Sequence, residues 1–385
     1  MSKELKIGLI GGGWMGKAHT AAYKNVPLIF GNEPSIPILH TVADINLQSA
    51  EDTFKYGDFK YVTNDWKKIV ENPEIDVVDI VTPNAVHPEI AIAAAENGKH
   101  VYCEKPLANT AKESEPMMKA AEKNNIVSLV GFNYLKIPVI EYAKELITSG
   151  EIGDITVFKG TFDQDFMADP NVPFSWRMSK KDAGTGTLGD MASHTLSYAL
   201  SLVGDVAEVI GQMETFIKKR NVSIGGSGHT TKGTSGEQKE VENDDVVQFL
   251  MRFKNNAMGI ISSSRIGMGR KLEIGFEIQG TKGALMFTNE RMNELNLYLS
   301  SDKESKRGYR KIFNHPKHRW YKNFHPIAGI GLGFNDQKII EAREMIEAIA
   351  EKRNAFPDFR FGWKINKIVD AVEKSVIEKK WQFVE

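Results

Sequence analysis

Residues Lys6–Gly16 read KIGLIGGGWMG, an apolar run followed by glycines in G-x-G-x-x-G order. The apolar run, Ile7 to Ile10, predicts a short buried strand. Gly11 allows a sharp turn off that strand, Gly13 allows the backbone to approach a pyrophosphate, and Gly16 allows a following helix to pack closely. The N–H groups at the start of that helix would face the anion. This order predicts a dinucleotide-binding β-α-β unit, with a glycine-rich turn that binds no ligand as the alternative.

The residues around this loop predict the choice of dinucleotide. Trp14 and Met15 lie between the second and third glycines and are expected cofactor contacts. A loop is expected at Val26–Pro37, which holds three prolines and a glycine, and the second strand at Ile38–Ala43. Asp44 follows that strand, where a carboxylate can accept hydrogen bonds from both hydroxyls of the adenosine ribose and would repel a 2'-phosphate. Asp44 therefore predicts NAD over NADP, with an ordinary turn aspartate as the alternative.

Two more strands are predicted at Asp76–Val81 and Lys99–Cys103, and polar residues follow each of them. Helices alternate with strands throughout this half, which predicts an α/β fold with a parallel, doubly wound sheet. Ligands bind outside the carboxyl ends of the strands in such sheets. The candidate site residues at these ends are Thr82, Asn84, Glu104 and Lys105, with a solvated loop lysine as the alternative for Lys105.

The second half predicts a different architecture. Strands are expected at Thr156–Phe162, Val206–Phe216, Val246–Phe253, Met258–Ser264, Leu272–Gln279 and Ala284–Thr288. Their short connections predict a largely antiparallel sheet. A local loop is expected at Gly225–Gly236, and two amphipathic helices at about Asp336–Glu351 and Gly362–Glu378. The chain should therefore contain a dinucleotide-binding domain, residues 1–135, and an α/β domain for substrate binding and assembly, residues 136–385.

Asp190 and His194 are the main candidates for chemistry in the second half. They stand four residues apart near the start of a helix expected at about Thr187–Leu202, so both should lie on one face. The glycine run before them, in GTGTLGDMASH at residues 184–194, would let a ligand approach closely. Spacing alone leaves a solvated surface pair as an equal alternative.

The composition excludes several classes of protein. The chain has 385 residues and a formal net charge of −1, which gives no electrostatic case for nucleic acid or an anionic membrane. Its single cysteine, Cys103, allows no intrachain disulfide. No apolar stretch approaches transmembrane length, and the N-terminus lacks the pattern of a signal peptide. No Cys/His cluster has zinc spacing. We therefore expect a cytoplasmic protein that binds no metal.

Five motifs in order give the chain a resemblance to the Gfo/Idh/MocA family of NAD(P)-dependent sugar and polyol dehydrogenases. They are GLIGGGWMGKAH (8–19), VTPNAVH (81–87), EKP (104–106), GFNY (131–134) and GTGTLGDMASH (184–194). The long segment before Asp44 is similar to the branch that contains levoglucosan and inositol dehydrogenases. One departure is Leu135-Lys136, where many members have arginine after the tyrosine. The resemblance implies cofactor binding at His87 and substrate contacts at Asn133 and Tyr134.

The resemblance implies an oxidoreductase that transfers a hydride between NAD and a sugar or cyclic polyol hydroxyl, such as that of inositol or levoglucosan. His194 would accept the hydroxyl proton, because histidine titrates near physiological pH. Lys105 would stabilise the developing alkoxide, and Asp190 would hold a substrate hydroxyl. Glu104 and Asn84 would fix the nicotinamide ribose. Lys105 and His194 are expected to converge from the two domains.

Further expectations concern the substrate pocket and assembly. Trp176, Arg177 and His325 are weaker substrate candidates, since an aromatic–arginine pair is more often a packed interface. The family's open C-terminal sheet implies a homo-oligomer, a dimer or tetramer, because exposed apolar sheet faces mark interfaces. Two alternative functions stay open. One is an NAD-retaining glycosidase that acts by oxidation and elimination, and the other is a non-catalytic member that acts as a ligand sensor.

Overall fold

The computed structural model describes residues 3–224 and 234–385, which belong to two compact units. Unit 1 comprises Met1–Lys136, Asn323–Pro326 and Leu332–Lys364. Unit 2 comprises Ile137–Lys322, Ile327–Gly331 and Ile365–Glu385. The first unit therefore contains two segments from near the end of the chain as well as the first 136 residues.

Unit 1 is built on a six-stranded parallel sheet. Its strands are β1 (Lys3–Ile10), β2 (Ser35–Ala43), β3 (Tyr61–Thr63), β4 (Val77–Ile80), β5 (His100–Cys103) and β6 (Ser128–Val130). Its helices are α1 (Trp14–Phe30), α2 (Leu47–Gly57), α3 (Lys67–Val70), α4 (His87–Glu96), α5 (Ala111–Lys123) and α10 (Phe334–Glu351). The strand order is β3-β2-β1-β4-β5-β6, which is the order of a dinucleotide-binding fold. The predicted doubly wound parallel sheet is confirmed.

The core of unit 1 explains why α10 belongs to it. Ala342, Met345 and Ile346 of this helix are buried in one cluster with Leu5 and Ile7 of β1. Burying a side chain as large as Ile or Met contributes roughly 1.5–3 kcal/mol relative to leaving it exposed. A helix from the last sixth of the chain thus completes the hydrophobic core of the parallel sheet.

The loop predicted at Val26–Pro37 is wrong for most of its length. Helix α1 continues through Pro27 to Phe30, and β2 begins at Ser35. Val26 is fully buried, and the ring of Phe30 packs edge-on against Phe324, so tertiary packing extends the helix beyond its proline. Pro37 is tolerated inside β2 because β3 pairs only with Thr41 to Ala43, which leaves one side of β2 unpaired at the proline.

Unit 2 contains a nine-stranded sheet. Its strands are β7 (Ile155–Asp163), β8 (Val206–Glu214), β11 (Val246–Phe253), β12 (Met258–Ser264), β13 (Glu273–Gly280), β14 (Gly283–Thr288), β15 (Glu294–Leu299), β16 (Arg310–Phe313) and β17 (Gln382–Phe383). Their order in the sheet is β16-β15-β14-β13-β7-β12-β11-β8-β17. All neighbours pair antiparallel except β7 and β12, which are parallel. The predicted largely antiparallel sheet is confirmed.

The remaining elements of unit 2 include its helices and a small second sheet. The helices are α6 (Pro138–Thr148), α7 (Lys180–Ala183) and α8 (Ser193–Leu202), while α9 (Tyr321–Phe324) and α11 (Phe359–Glu378) pass from one unit to the other. Strands β9 (Lys219–Ser223) and β10 (Thr234–Glu240) pair antiparallel. The predicted loop Gly225–Gly236 is therefore wrong at residues 234–236, where β10 begins, and its first nine residues lie outside the described part of the chain. No helix within 3–224 and 234–385 is long and apolar enough to cross a membrane.

Candidate functional site

Four strand ends of unit 1 meet at one edge of its sheet. The last residues of β1, β4 and β5 pair side by side, Ile10 with Ile80 and Ile80 with Cys103. The end of β2 lies beside them, where Ala43 pairs with Ile10. Residues that follow these strands therefore lie along the edge where parallel sheets bind ligands. They are Gly11, Asp44, Val81 and Glu104.

The glycine loop has the local geometry of a dinucleotide-binding turn. Gly11 has φ of +115°, and a Cβ on it would lie 2.6 Å from the carbonyl oxygen of Val81. A Cβ on Gly16 would lie 2.1 Å from the carbonyl oxygen of Gly11, so the third glycine lets α1 pack against the turn. At Gly13, a Cβ would meet no described protein atom within 4 Å. Packing within unit 1 does not require glycine at residue 13, which fits a backbone that leaves space for a pyrophosphate.

The carboxylate of Asp44 is held in place by the backbone around it. The N–H of Gly12 donates to Asp44 Oδ2 at 2.7 Å, and the N–H of Asn46 donates to Oδ1 at 2.8 Å. A carboxylate oxygen can accept more than one hydrogen bond, so each oxygen can also accept one from a hydroxyl. This fixed, half-buried carboxylate beside the glycine loop fits an adenosine ribose with both hydroxyls unmodified.

Trp14 and Met15 lie at the surface of the glycine loop. Trp14 is 56% exposed, and its ring stacks on Phe334, the first residue of α10, with centroids 5.8 Å apart. Met15 is half-buried beside it. Both positions are compatible with the predicted cofactor contacts, which stay predictions.

The residues after β4 form a short, braced turn. Asn84 is buried at the start of a 3-10 helix, Asn84–Val86, and Thr82 is half-buried before it. His87 is fully buried, with Nε2 2.9 Å from the Thr82 carbonyl oxygen and Nδ1 3.1 Å from the Pro106 carbonyl oxygen. Burial lowers the pKa of His87, so the neutral ring can donate to only one of these oxygens. The ring therefore braces the ends of β4 and β5, and we expect any effect of His87 on cofactor binding to act through this turn.

Glu104 and Lys105 follow β5 directly. Glu104 is buried, Lys105 is half-buried, and Glu104 Oε2 accepts a hydrogen bond from the Lys105 N–H at 3.2 Å. The N–H of Glu104 continues the sheet by donating to the Ile80 carbonyl oxygen at 2.9 Å. The backbone from which the Lys105 side chain projects is therefore anchored to the sheet.

In unit 2, burial contradicts the alternative of a solvated surface pair for Asp190 and His194. His194 is only 4% exposed, and its ring lies 5.8 Å from that of Phe162. Asp190 is half-buried, and its Oδ2 lies 3.7 Å from Arg177 Nη1. The helix expected at about Thr187–Leu202 is confirmed, and its first part is a π-helix, Leu188–Ala192, that leads directly into α8. Wider turns of this kind are frequent at functional sites.

Asp244, which no sequence motif indicated, holds the segment that carries Asp190. The N–H of Gly186 donates to Asp244 Oδ1 at 2.6 Å, and the N–H of Leu188 donates to Oδ2 at 2.8 Å. A Cβ on Gly186 would lie 2.1 Å from the Asp244 carbonyl oxygen, so the glycine run is also a packing requirement. Burial raises the pKa of Asp244, although these N–H groups oppose the change. The signal for it in the sequence is the polar run Asn243 to Asp245 before an apolar strand.

The weaker substrate candidates fall into both units. In unit 1, Asn133 is buried and its Nδ2 donates to Gln337 Oε1 at 2.6 Å, while the buried ring of Tyr134 packs edge-on against Phe334. His325 is half-buried in the same unit. In unit 2, the Arg177 guanidinium lies 4.5 Å from the ring centre of Trp176, and both side chains are half-buried. Among the described residues, no group of three or more His, Cys, Asp or Glu could hold a metal ion.

The doubly wound sheet, the open glycine loop and the fixed carboxylate of Asp44 define an NAD-binding protein. Family models agree: residues 5–132 match the oxidoreductase family with an NAD-binding Rossmann fold, and residues 140–286 match the GFO/IDH/MocA C-terminal domain. The chain belongs to the Gfo/Idh/MocA family and is an NAD-dependent oxidoreductase. The predicted family, class of enzyme and cofactor are confirmed.

The levoglucosan dehydrogenases among the relatives match nearly the full chain. A levoglucosan dehydrogenase of Pseudarthrobacter phenanthrenivorans is 42% identical over 381 residues, which is 98% of each chain. A solved levoglucosan dehydrogenase in complex with NADH and levoglucosan is 41% identical, has a TM-score of 0.94, and matches 99% of this chain and 100% of its own. A myo-inositol 2-dehydrogenase of Thermotoga maritima is 25% identical and matches 80% of this chain and 82% of its own.

Proposed function

We propose that this enzyme oxidises a hydroxyl group of an anhydrosugar, levoglucosan or a close relative, and passes the hydride to NAD. The observation that carries the proposal is the 41–42% identity to levoglucosan dehydrogenases, which extends over 98–99% of the chain. The myo-inositol dehydrogenase is much less similar, at 25% identity. A cyclic polyol such as inositol is therefore the second candidate substrate.

In the proposed reaction, the protein supplies a base, a cation and an orienting carboxylate. His194 accepts the proton from the reacting hydroxyl, and its burial keeps bulk water from competing for that role. Lys105 places a positive charge near the oxygen as negative charge develops there. Asp190, restrained by Arg177, accepts a hydrogen bond from a neighbouring sugar hydroxyl.

The cofactor end of the site has a separate set of residues. The glycine loop and the Asp44 carboxylate bind the pyrophosphate and adenosine ribose, and Asn84 and Glu104 are proposed to fix the nicotinamide ribose. Bound NAD would supply the acceptor for the hydride that leaves the carbon of the reacting hydroxyl. Substrate binding and cofactor binding therefore depend on different side chains, so that variants can separate them.

An assay of NADH formation with a panel of sugars tests this proposal. We expect levoglucosan to have the highest kcat/KM and myo-inositol a value at least about tenfold lower, since one misplaced group in a pocket typically costs that much. NADH formation that is faster with myo-inositol would replace the anhydrosugar by a cyclic polyol. Cleavage of a glycoside without net NADH would support the glycosidase, and sugar binding without any turnover would support a ligand sensor.

Asp44→Ala is expected to lower kcat/KM for NAD by about tenfold or more, and to change that for NADP much less. The reason is the loss of hydrogen bonds from two ribose hydroxyls to a charged acceptor, each worth roughly 1.5–3 kcal/mol. Steady-state kinetics with both cofactors measure the change. The matched control is Asp52→Ala, which removes an exposed carboxylate from the neighbouring helix α2 and should leave both values unaltered. A wild-type enzyme that uses NADP as well as NAD would contradict the ribose assignment.

We also propose that the enzyme assembles as a homo-oligomer, a dimer or tetramer, through the open face of its nine-stranded sheet. Leu250 and Ile260 lie opposite each other on β11 and β12 and are 47% and 42% exposed. Met286 continues the exposed apolar row on β14, beyond the ion pair of Lys159 and Glu277. A sheet face with exposed apolar side chains on three strands, and one ion pair between them, is a surface that a second copy would cover.

The double variant Leu250→Lys/Ile260→Lys is expected to reduce the solution mass to that of a smaller species, because four lysines would then face each other in a symmetric contact. Light scattering after size-exclusion chromatography measures the mass. Ile377→Lys places the same charge at an exposed apolar residue of α11, outside this sheet face, and should not alter the mass. A wild-type monomer at micromolar concentration would reject the proposed assembly.

The proposed location of the enzyme is the cytoplasm. The single cysteine, Cys103, is buried, and burial raises the pKa of its thiol well above the usual range. A chain with one inert thiol is suited to a reducing compartment. Cell fractionation with an antibody against the protein tests the location.

A further inference from the structure

A row of alternating charges is buried in unit 1, and the proposed reaction uses only one of its members. We call this row the charge chain; it consists of Asp79, His19, Glu104, Lys338 and Glu341. Asp79 and Glu341 are fully buried, and His19 and Lys338 are each 1% exposed. The residues come from β4, α1, the end of β5 and α10, so the chain links four elements of the unit.

Each contact in the charge chain joins opposite charges. His19 Nδ1 lies 2.9 Å from Asp79 Oδ2, and His19 Nε2 lies 2.9 Å from Glu104 Oε1. Lys338 Nζ donates to the same oxygen of Glu104 and lies 2.9 Å from Glu341 Oε2. Two cations therefore hold one carboxylate oxygen of Glu104.

The geometry assigns a positive charge to His19. Both ring nitrogens face carboxylate oxygens, and a neutral imidazole has only one N–H to donate. Burial and the nearby Lys338 lower the pKa of His19, but the Asp79 carboxylate and the hydrogen bonds to Asp79 and Glu104 outweigh them and raise it to about 9. The ring also stacks on that of Tyr102, with centroids 4.7 Å apart.

The other sides of the Glu104 carboxylate are also restrained. A Cβ on Gly131 would lie 2.7 Å from Glu104 Oε1, so the glycine of the GFNY motif makes room for this carboxylate. The second oxygen, Oε2, accepts the backbone N–H of Lys105 at 3.2 Å. The same carboxylate that is held by two buried cations thus holds the backbone of the proposed catalytic lysine.

Stability alone does not account for such a row. Taking five ionisable groups out of water carries a large desolvation cost, and apolar side chains of similar volume often pack with equal or greater stability. Buried ionisable groups that interact with one another are common at functional sites. Beside the strand-end site, this network can set the orientation of a reacting group.

We propose that His19 and Lys338 are positioning residues, which hold Glu104 ionised and in one orientation and thereby fix the backbone of Lys105 for the chemical step. This inference rests on the proposed role of Lys105. It predicts that loss of either cation slows hydride transfer without a matching loss of cofactor or substrate binding.

The kinetic test uses His19→Gln and Lys338→Met. Each is expected to lower the single-turnover rate of hydride transfer by about tenfold or more, since small misplacements of a reacting group carry costs of this size. The dissociation constant of NADH and the KM for the sugar should change less than about threefold. Lys338→Arg retains the charge and should restore the rate to within about threefold of wild type.

Two controls separate a positioning role from loss of fold. Lys99→Met makes the same substitution at another buried lysine of unit 1, whose Nζ donates to the carbonyl oxygens of Asn72 and Ile75. It should lower Tm and leave the hydride-transfer rate unaltered. A rate that is unaltered in His19→Gln as well, at a temperature where the variant is folded, would overturn the proposal.

A double-variant cycle tests the route through Lys105. In a Lys105→Met background, His19→Gln should reduce the residual rate less than about twofold, because residues that act through one another are not additive. A further tenfold loss would overturn the positioning route while leaving the role of Lys105 intact. Full turnover of Lys105→Met itself would instead overturn the proposed role of Lys105, on which this inference rests.

The charge on His19 can be observed without any turnover. Nitrogen NMR of the ¹⁵N-labelled enzyme at pH 7.5 should show one imidazole with both nitrogens protonated, and this signal should be missing from His19→Gln. A neutral imidazole at that pH would overturn the inference, whatever the kinetics show.

Discussion

Lys105→Met is expected to lower kcat for sugar oxidation by at least about 10²-fold, with NADH affinity within about threefold of wild type. A cation beside a developing alkoxide stabilises the transition state more than the ground state, so its removal slows the chemical step. Methionine keeps the length of the side chain and removes its charge. Single-turnover measurement of hydride transfer and titration of NADH fluorescence separate the two effects.

Two further measurements make this prediction specific. Lys99→Met, just before the first residue of β5, makes the same substitution at a lysine outside the proposed site and should retain wild-type kcat. For Lys105→Ala, millimolar ethylammonium in the assay should restore part of the lost rate, because a diffusible ammonium can occupy the vacated volume. If Lys105→Met keeps near-normal turnover, the side chain is a solvated loop lysine and the proposed mechanism fails.

The cofactor half of the fold could be predicted because its constraints are local. The chain turns at Gly11, leaves space at Gly13 and packs closely at Gly16, and each requirement excludes side chains at one position of a short motif. Asp44 and Glu104 each follow directly after an apolar run in the sequence, so their places at strand ends are also local features. Local sequence patterns therefore predict both the parallel sheet and the edge where the cofactor binds.

Other features depend on residues that are distant in sequence. Pro27 would end a helix on local rules, but buried neighbours extend α1 to Phe30. The assignment of α10 to unit 1 follows from the hydrophobic cluster that it shares with β1, more than 300 residues earlier, and no local pattern contains that information. The π-helix before α8 accompanies hydrogen bonds from Gly186 and Leu188 to Asp244, over fifty residues downstream.

The charge chain could be predicted from the sequence only in part. Asp79 stands out as a carboxylate within the apolar strand DVVDIV, and such a residue needs a partner when it is buried. Its partner His19 is the last residue of the glycine-loop motif, GLIGGGWMGKAH. Each residue therefore lies in a segment that the sequence places near the strand-end site. The link from Glu104 to Lys338 crosses 234 residues, so only the structure connects the two ends.

His194→Asn is expected to lower kcat by at least about 10²-fold while NADH binding stays within about threefold of wild type. Asparagine can donate and accept hydrogen bonds but cannot take up a proton at neutral pH, so it removes general-base catalysis with a modest change of volume. With a substrate deuterated at the reacting carbon, the isotope effect on kcat should rise, because hydride transfer becomes rate-limiting.

His318→Asn provides the matched control for this prediction. His318 is also a buried histidine of unit 2, its ring stacks on Tyr142, and burial lowers its pKa to about 4, so it stays neutral under assay conditions. The same substitution there should lower Tm and leave kcat within about threefold of wild type. If His194→Asn behaves like His318→Asn, or if it loses NADH binding in proportion to activity, His194 has a packing role and the proton must be accepted elsewhere. If only His194→Asn loses the chemical step, His194 is the general base, and its effect on the rate is separate from the packing effect of a buried histidine.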